Sequence, residues 1–154
     1  MTYEREETAI IMEPDTDMQI LVVEDNNLVS DYLKSIILRH FSPCRTTVVN
    51  SIAGCMACLQ EKKFHLILLD STLELKPEDS CSAIRDLETT TPIILMVVSE
   101  TKITQEYVIG CGADGIIYKP IEVEYLLKEI KRVIHSDLDQ RGVGSGFFKV
   151  VHPD

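Results

Sequence analysis

The sequence predicts an α/β fold: a doubly wound, five-stranded parallel sheet with helices on both faces. Three observations predict it. Apolar runs of strand length alternate with segments whose apolar residues recur at helical spacing. The runs ILVV, LILL, ILMVV and GIIY are almost continuously apolar, as strands buried on both faces must be. The connections between them are short, and right-handed crossovers of that kind stack helices on both sides of one sheet. A chain of 154 residues suggests a single domain. It can bury roughly 68–70% of its unfolded surface.

Residues 18–23, MQILVV, read as the first strand. Asn27 is expected to cap a helix whose stripe is Leu28, Val29, Tyr32, Leu33, Ile36 and Ile37, and Ser42-Pro43 ends it. The β-branched run 46–49 predicts a second strand, and 51–60 a second helix. Residues 64–69 form the third strand, ending at Asp70. A polar stretch reaches Asp79, followed by a helix with Cys81, Ile84 and Leu87 inward. Pro92 opens the fourth strand, 93–98. A weak helix over 104–110 and a turn containing Gly110 and Gly112 lead to the fifth strand, 115–118. The last helix, 122–135, carries Val123, Leu126, Leu127, Ile130, Val133 and Ile134 on one side. The expected division is an acidic flexible tail at 1–17, a domain at 18–136 and a C-terminal tail at 137–154. Phe147, Phe148, Val150 and Val151 suit that last tail to docking on the domain or a partner.

Composition removes several function classes. The net charge is −10, from 25 acidic and 15 basic residues, which disfavours direct nucleic-acid binding. No apolar run approaches the ~18–20 residues of a membrane span. The opening MTYEREETAIIMEPD lacks the apolar region of a signal peptide. The five cysteines are scattered. Cys55 and Cys58 form a C-x-x-C without a second pair, and with Ile52, Met56 and Leu59 they fall at helical spacing, as small core residues do. A cytoplasmic location is expected.

The chemistry lies at the strand ends. Glu24-Asp25 follow ILVV, Asp70 follows LILL, Ser99 follows ILMVV and Lys119-Pro120 follow GIIY. In an open parallel sheet all carboxyl ends share one edge, where ligands bind. Three carboxylates, a hydroxyl and an ammonium would therefore meet. The carboxylates repel one another unless a cation joins them, and Mg²⁺ suits an all-oxygen set. Asp70, on a central strand, is the candidate nucleophile toward phosphorus. Lys119 and Ser99 would contact the phosphoryl oxygens.

With these motifs and spacings, residues 18–136 resemble the receiver domain of two-component response regulators, the CheY-like family. The resemblance implies a flavodoxin-like sheet of order 2-1-3-4-5. It implies that Asp70 accepts a phosphoryl group from a histidine kinase or a histidine phosphotransfer protein. Glu24, Asp25, Asp70 and the Thr72 main-chain carbonyl would hold Mg²⁺, and Ser99 and Lys119 would contact the phosphoryl group. With no second domain read in the sequence, the leading reading is a stand-alone switch rather than an enzyme, and a truncated receiver from a larger protein is the other option. Its output would run through a protein partner or a homodimer, using the face of the fourth helix, fifth strand and fifth helix.

The sequence departs from the family pattern in three places. The segment after Asp70 reads STLELKPEDS, with a late Pro77 and no glycine. Glu100 follows Ser99 where a small residue is usual, which would slow like-charged phosphodonors. Ile116 stands where the family carries a switch aromatic, and Tyr118 is expected on the opposite face of the strand. Two other readings stay open. One is a pseudo-receiver that binds partners without phosphorylation. The other is a haloacid-dehalogenase-like, Mg²⁺-dependent phosphatase, although Thr72 stands where that family places its second acid.

Overall fold

The computed structural model describes residues 10–12, 17–88, 90–98, 104–141 and 148–150. In chain order the elements are β1 Ile10–Met12, β2 Met18–Val23, α1 Asn27–His40, β3 Cys44–Val49, α2 Ile52–Glu61 and β4 Leu66–Asp70. They continue with α3 Pro77–Leu87, β5 Ile93–Val98, α4 Gln105–Gly110, β6 Gly115–Lys119, α5 Val123–Arg141 and β7 Phe148–Val150. Five strands form one sheet in the order β3-β2-β4-β5-β6, every pairing parallel. Numbered within that sheet alone, the order is the expected 2-1-3-4-5.

The strands are apolar on both sides because each side has its own core. Ile20, Val22, Leu66, Leu68, Ile94, Met96 and Ile117 pack against residues of α1 and α5. Their strand neighbours Leu21, Val23, Ile67, Leu69, Leu95 and Val97 pack against Ile52 and Cys55 of α2, Cys81 and Ile84 of α3, and Val108 of α4. The period of two sorts successive residues to opposite faces.

Four local expectations need correction. Asn26, not Asn27, caps α1, its side chain accepting from the N–H groups of Leu28 and Val29. The buried arc of α1 centres on Leu33, Ile36 and Ile37 and includes Ser30. Leu28 therefore falls at the margin at 81% exposure, with Tyr32 at 43%. Leu87, expected inward, ends α3 and is 39% exposed, because the burying face is Ser80, Cys81 and Ile84. That helix starts earlier than expected, at Pro77, whose fixed φ and missing N–H suit a first helical position. Glu78 and Asp79 complement the helix dipole in the first turn.

Residues 10–12 and 148–150, within the segments read as tails, contribute a second sheet. Strands β1 and β7 pair antiparallel, with Ile11 opposite Lys149. Helix α5 continues past residue 136 to Arg141.

Two polar anchors, one from α3 and one from α5, hold the β5 and β6 end of the sheet. Arg85 of α3 donates to the Thr91 carbonyl at 2.6 Å, twice to the Gly112 carbonyl at 3.2 and 3.0 Å, and to Asp114 at 2.8 Å. Gly112 has φ +98, a left-handed conformation that glycine adopts at little cost. Removing the guanidinium would orphan these carbonyls. Arg85→Met is expected to cost about 2–3 kcal/mol in urea unfolding.

At the sheet edge, the Ile116 N–H donates to Glu129 of α5 at 3.0 Å, and Arg132 pairs with the same carboxylate at 2.8 Å. A Cβ on Gly115 would run into this carboxylate. Burial alone would raise the Glu129 carboxyl, but Arg132 and the Ile116 N–H hold it below the usual range. A depressed carboxylate stabilises the fold above its unfolded-state value, and that contribution vanishes as pH falls through the folded-state value. Glu129→Gln is therefore expected to lose about 1–2 kcal/mol at neutral pH. It should converge with wild type as pH drops below the ordinary carboxylate range, followed by urea midpoints across pH.

Candidate functional site

The parallel register brings the strand ends to one edge. Val23 lies opposite both Val49 and Leu69, Asp70 opposite Met96, and Val98 opposite Lys119. The Glu24 N–H donates to the Val49 carbonyl at 2.9 Å, which carries the β2–β3 pairing one residue past the strand. Glu24, Asp70 and Lys119 share strand parity with Val22, Leu68 and Ile117, so all three project on the α1/α5 side. Burial of polar groups at this point must be matched by partners.

The partners are present. Lys119 Nζ lies 2.8 Å from Glu24 Oε1 and 3.0 Å from Asp70 Oδ1. The side chains of Glu24 and Asp70 are each 1% exposed and that of Lys119 18%. The second Glu24 oxygen accepts from the Asn26 N–H at 3.1 Å. Asp70 Oδ1 also accepts from the Thr72 N–H at 3.3 Å, and Oδ2 accepts from the Thr72 hydroxyl at 3.0 Å. Burial works to lower the Lys119 ammonium, but its hydrogen bonds to the two carboxylates outweigh that and leave it raised above the ordinary 10.5.

Asp25, next in sequence, is exposed. Ligand oxygens of Glu24, Asp25 and Asp70 all lie within 4.8 Å of one another. Two buried carboxylates and one exposed one make an all-oxygen donor set open on one side, which fits Mg²⁺. Bound there, the ion would neutralise carboxylate charge.

The structure thus brings together Glu24, Asp25, Asp70, Lys119 and Thr72. The Thr72 side chain and N–H hold the Asp70 carboxylate, which the sequence reading missed by considering only its carbonyl. The signal was available, since an aspartate followed by Thr two residues on is the pattern of an Asx turn. Ser99 and Glu100 lie outside the described residues. The segment after Asp70 is anchored differently from its start: Leu73 packs on the second core, and Glu74 accepts from the Ile52 N–H at 3.1 Å, at the start of α2. The Tyr118 expectation is corrected. Two residues apart on one strand, Ile116 and Tyr118 share a face. Ile116 packs on the second core while Tyr118 is 46% exposed.

Comparison with known proteins gives a consistent result. A family model for the response regulator receiver domain matches residues 20–131. The response regulator ArlR of Staphylococcus epidermidis is 30% identical over 122 residues, covering 79% of this chain and 54% of ArlR. The chain spans about half the length of the curated relatives it matches. A CheY-like receiver domain protein from Methanospirillum hungatei superposes with a TM-score of 0.70 at 20% identity, covering 81% of this chain and 99% of that one. The receiver domain of a sensor histidine kinase from Pseudomonas aeruginosa has a magnesium ion coordinated in its active-site cleft. It superposes with a TM-score of 0.67 at 22% identity, covering 78% and 99%. Among the described residues, no helix is long and apolar enough to cross a membrane. Sheet order, acidic cluster, bridging lysine and matched sequence span converge on one assignment: this chain belongs to the response regulator receiver domain family.

Proposed function

We propose that this chain is a phosphorylation switch in which Asp70 accepts a phosphoryl group and an altered protein-binding surface is the output. The observation that carries the reading is Lys119, bridged to buried Glu24 and Asp70 at 2.8 and 3.0 Å. It places one positive charge beside the nucleophile, where a phosphoryl oxygen would accept it. In the transfer, an Asp70 carboxylate oxygen bonds to phosphorus. The bond from phosphorus to the donor breaks, and the donor (phosphohistidine imidazole or acetate) leaves with the electron pair. Glu24, Asp25, Asp70 and the Thr72 carbonyl would hold Mg²⁺, which supplies charge neutralisation. Lys119 fixes the phosphoryl group, with Ser99 proposed as a second contact. Asp70 must exchange its Thr72 hydroxyl bond as its oxygen is committed.

The donor in this reading is a histidine kinase or a histidine phosphotransfer protein. Leu28 and Tyr32, exposed beside Lys119, Pro120 and Ile121, offer apolar surface next to the site for such a protein. The proposed readout face is α4, β6 and α5, where Tyr118 and Tyr125 are exposed, toward a protein partner or a second copy. Neither DNA nor a membrane is needed. Family membership sets aside the phosphatase reading, and the intact cluster argues against the pseudo-receiver.

The test is incubation with acetyl phosphate. A hydroxylamine-labile phosphoryl adduct should form with Mg²⁺ and fail to form with EDTA. A chain that stays unmodified by acetyl phosphate and by phosphorylated histidine phosphotransfer protein is a pseudo-receiver.

A further inference from the structure

Three residues on one face of α3, at positions 78, 81 and 85, meet α4 and the turn after it. Glu78 accepts from the Tyr107 hydroxyl, and Arg85 grips Gly112 and Asp114. Between these two fastenings Cys81 Sγ lies 4.0 Å from Cys111 Sγ, although the residues are 30 apart in sequence. Cys81 is fully buried and Cys111 half-buried. Cys111 caps the C-terminus of α4, and Gly112 follows with its positive φ.

We propose that Cys81 and Cys111 are a dithiol–disulfide pair, a modification site that clamps the end of α4 onto α3. Packing alone asks of these thiols only that they be small and apolar. It does not ask that two of them, from separate elements, face each other inside an interface already fastened on both sides. A disulfide needs the sulfurs at about 2.05 Å. Closing the 4.0 Å separation to that length draws Cys111, which precedes Gly112, toward Cys81 between the two flanking contacts.

The chemistry balances with a small disulfide, such as oxidised glutathione, as oxidant. Cys111, the more exposed thiol, loses its proton and attacks one sulfur of that disulfide. The S–S bond breaks, and one thiolate leaves with the electron pair and takes up the proton. The Cys81 sulfur, giving up its proton, then attacks the Cys111 sulfur and expels the second small thiol. Two protein thiols are oxidised, one small disulfide is reduced to two thiols, and both protons end on the leaving groups. Burial pushes the Cys81 thiol up to about 12, so this second step is the slow one. The short intramolecular path offsets that handicap.

The full chain equilibrated with excess oxidised glutathione should fall from five free thiols to three. Peptide mapping without reductant should find Cys81 joined to Cys111. The variant carrying C44S, C55S and C58S should form the same cross-link, and C111S and C81A should each abolish it. Asp70→Asn should form it as well as wild type, which separates this site from phosphorylation. In the oxidised protein, amide exchange over Gln105–Gly110 should slow by about tenfold or more. Retention of all five thiols, only mixed disulfides with glutathione, or a cross-link mapping elsewhere overturns the pair. Unchanged exchange in α4 overturns the clamp.

Discussion

Asp70→Asn is expected to abolish phosphoryl uptake, dropping the acetyl phosphate rate by about 100-fold or more. The amide is nearly isosteric, so the packing at the end of β4 survives, and the Thr72 hydroxyl can turn to accept from the amide NH2 while the Thr72 N–H still donates to the amide oxygen. What goes is the anionic charge, which belongs both to the proposed nucleophile and to one of the three carboxylates with oxygens within 4.8 Å of one another. Its loss also removes one of the two acids that Lys119 bridges, at 3.0 Å. Intact-mass spectrometry after incubation with acetyl phosphate and Mg²⁺ reads the result. A variant that carries label on the same peptide as wild type would show that the acceptor lies elsewhere.

Lys119→Met should have the largest effect on stability, because it strands two carboxylates that are each 1% exposed. Breaking a buried pair from one side typically costs about 3–5 kcal/mol. That loss is expected in metal-free buffer by urea unfolding. Mg²⁺ should restore most of it by replacing the missing charge, and Mg²⁺ affinity should rise by about tenfold with a competing cation gone. Phosphorylation or its consequences should nonetheless be impaired. The pH dependence has a definite sign. The folded-state value of Lys119 is raised above 10.5, so its stabilisation is complete below that value and is lost as pH climbs through the raised one. Wild type should therefore lose an increment of stability in the alkaline range that Lys119→Met lacks. Equal stability of the two proteins without metal would mean that the bridge is not holding the site.

The fold was legible because the strands are apolar on both faces, and their ends mark the site in the sequence. What a linear reading assigned less well were margins. The stripe of α1 counted six apolar residues, but a sheet covers only an arc of a helix, and Leu28 and Tyr32 fall outside it. Asn26 and Asn27 are equivalent as sequence signals, and only the backbone turn decides which one caps. Glu24, Asp25, Asp70 and Lys119 were legible because each sits directly at a strand end. The Thr72 hydroxyl and the Arg85 anchor were harder to see. The first is a local side-chain turn, and the second joins carbonyls whose proximity depends on how α3 meets the segment before β6.

Among the described residues, the sheet separates two apolar compartments that share no side chain, and this has an evolutionary consequence. Glu24, Asp70 and Lys119 all open from the compartment under α1 and α5. Cys55, Cys81 and the packing of α4 belong to the other. Substitutions on opposite sides of a wall of backbone combine nearly additively. Substitutions in the α2–α3–α4 compartment can therefore accumulate with little effect on the Glu24, Asp70 and Lys119 cluster across the sheet. Thiols could accumulate there without disturbing the acids.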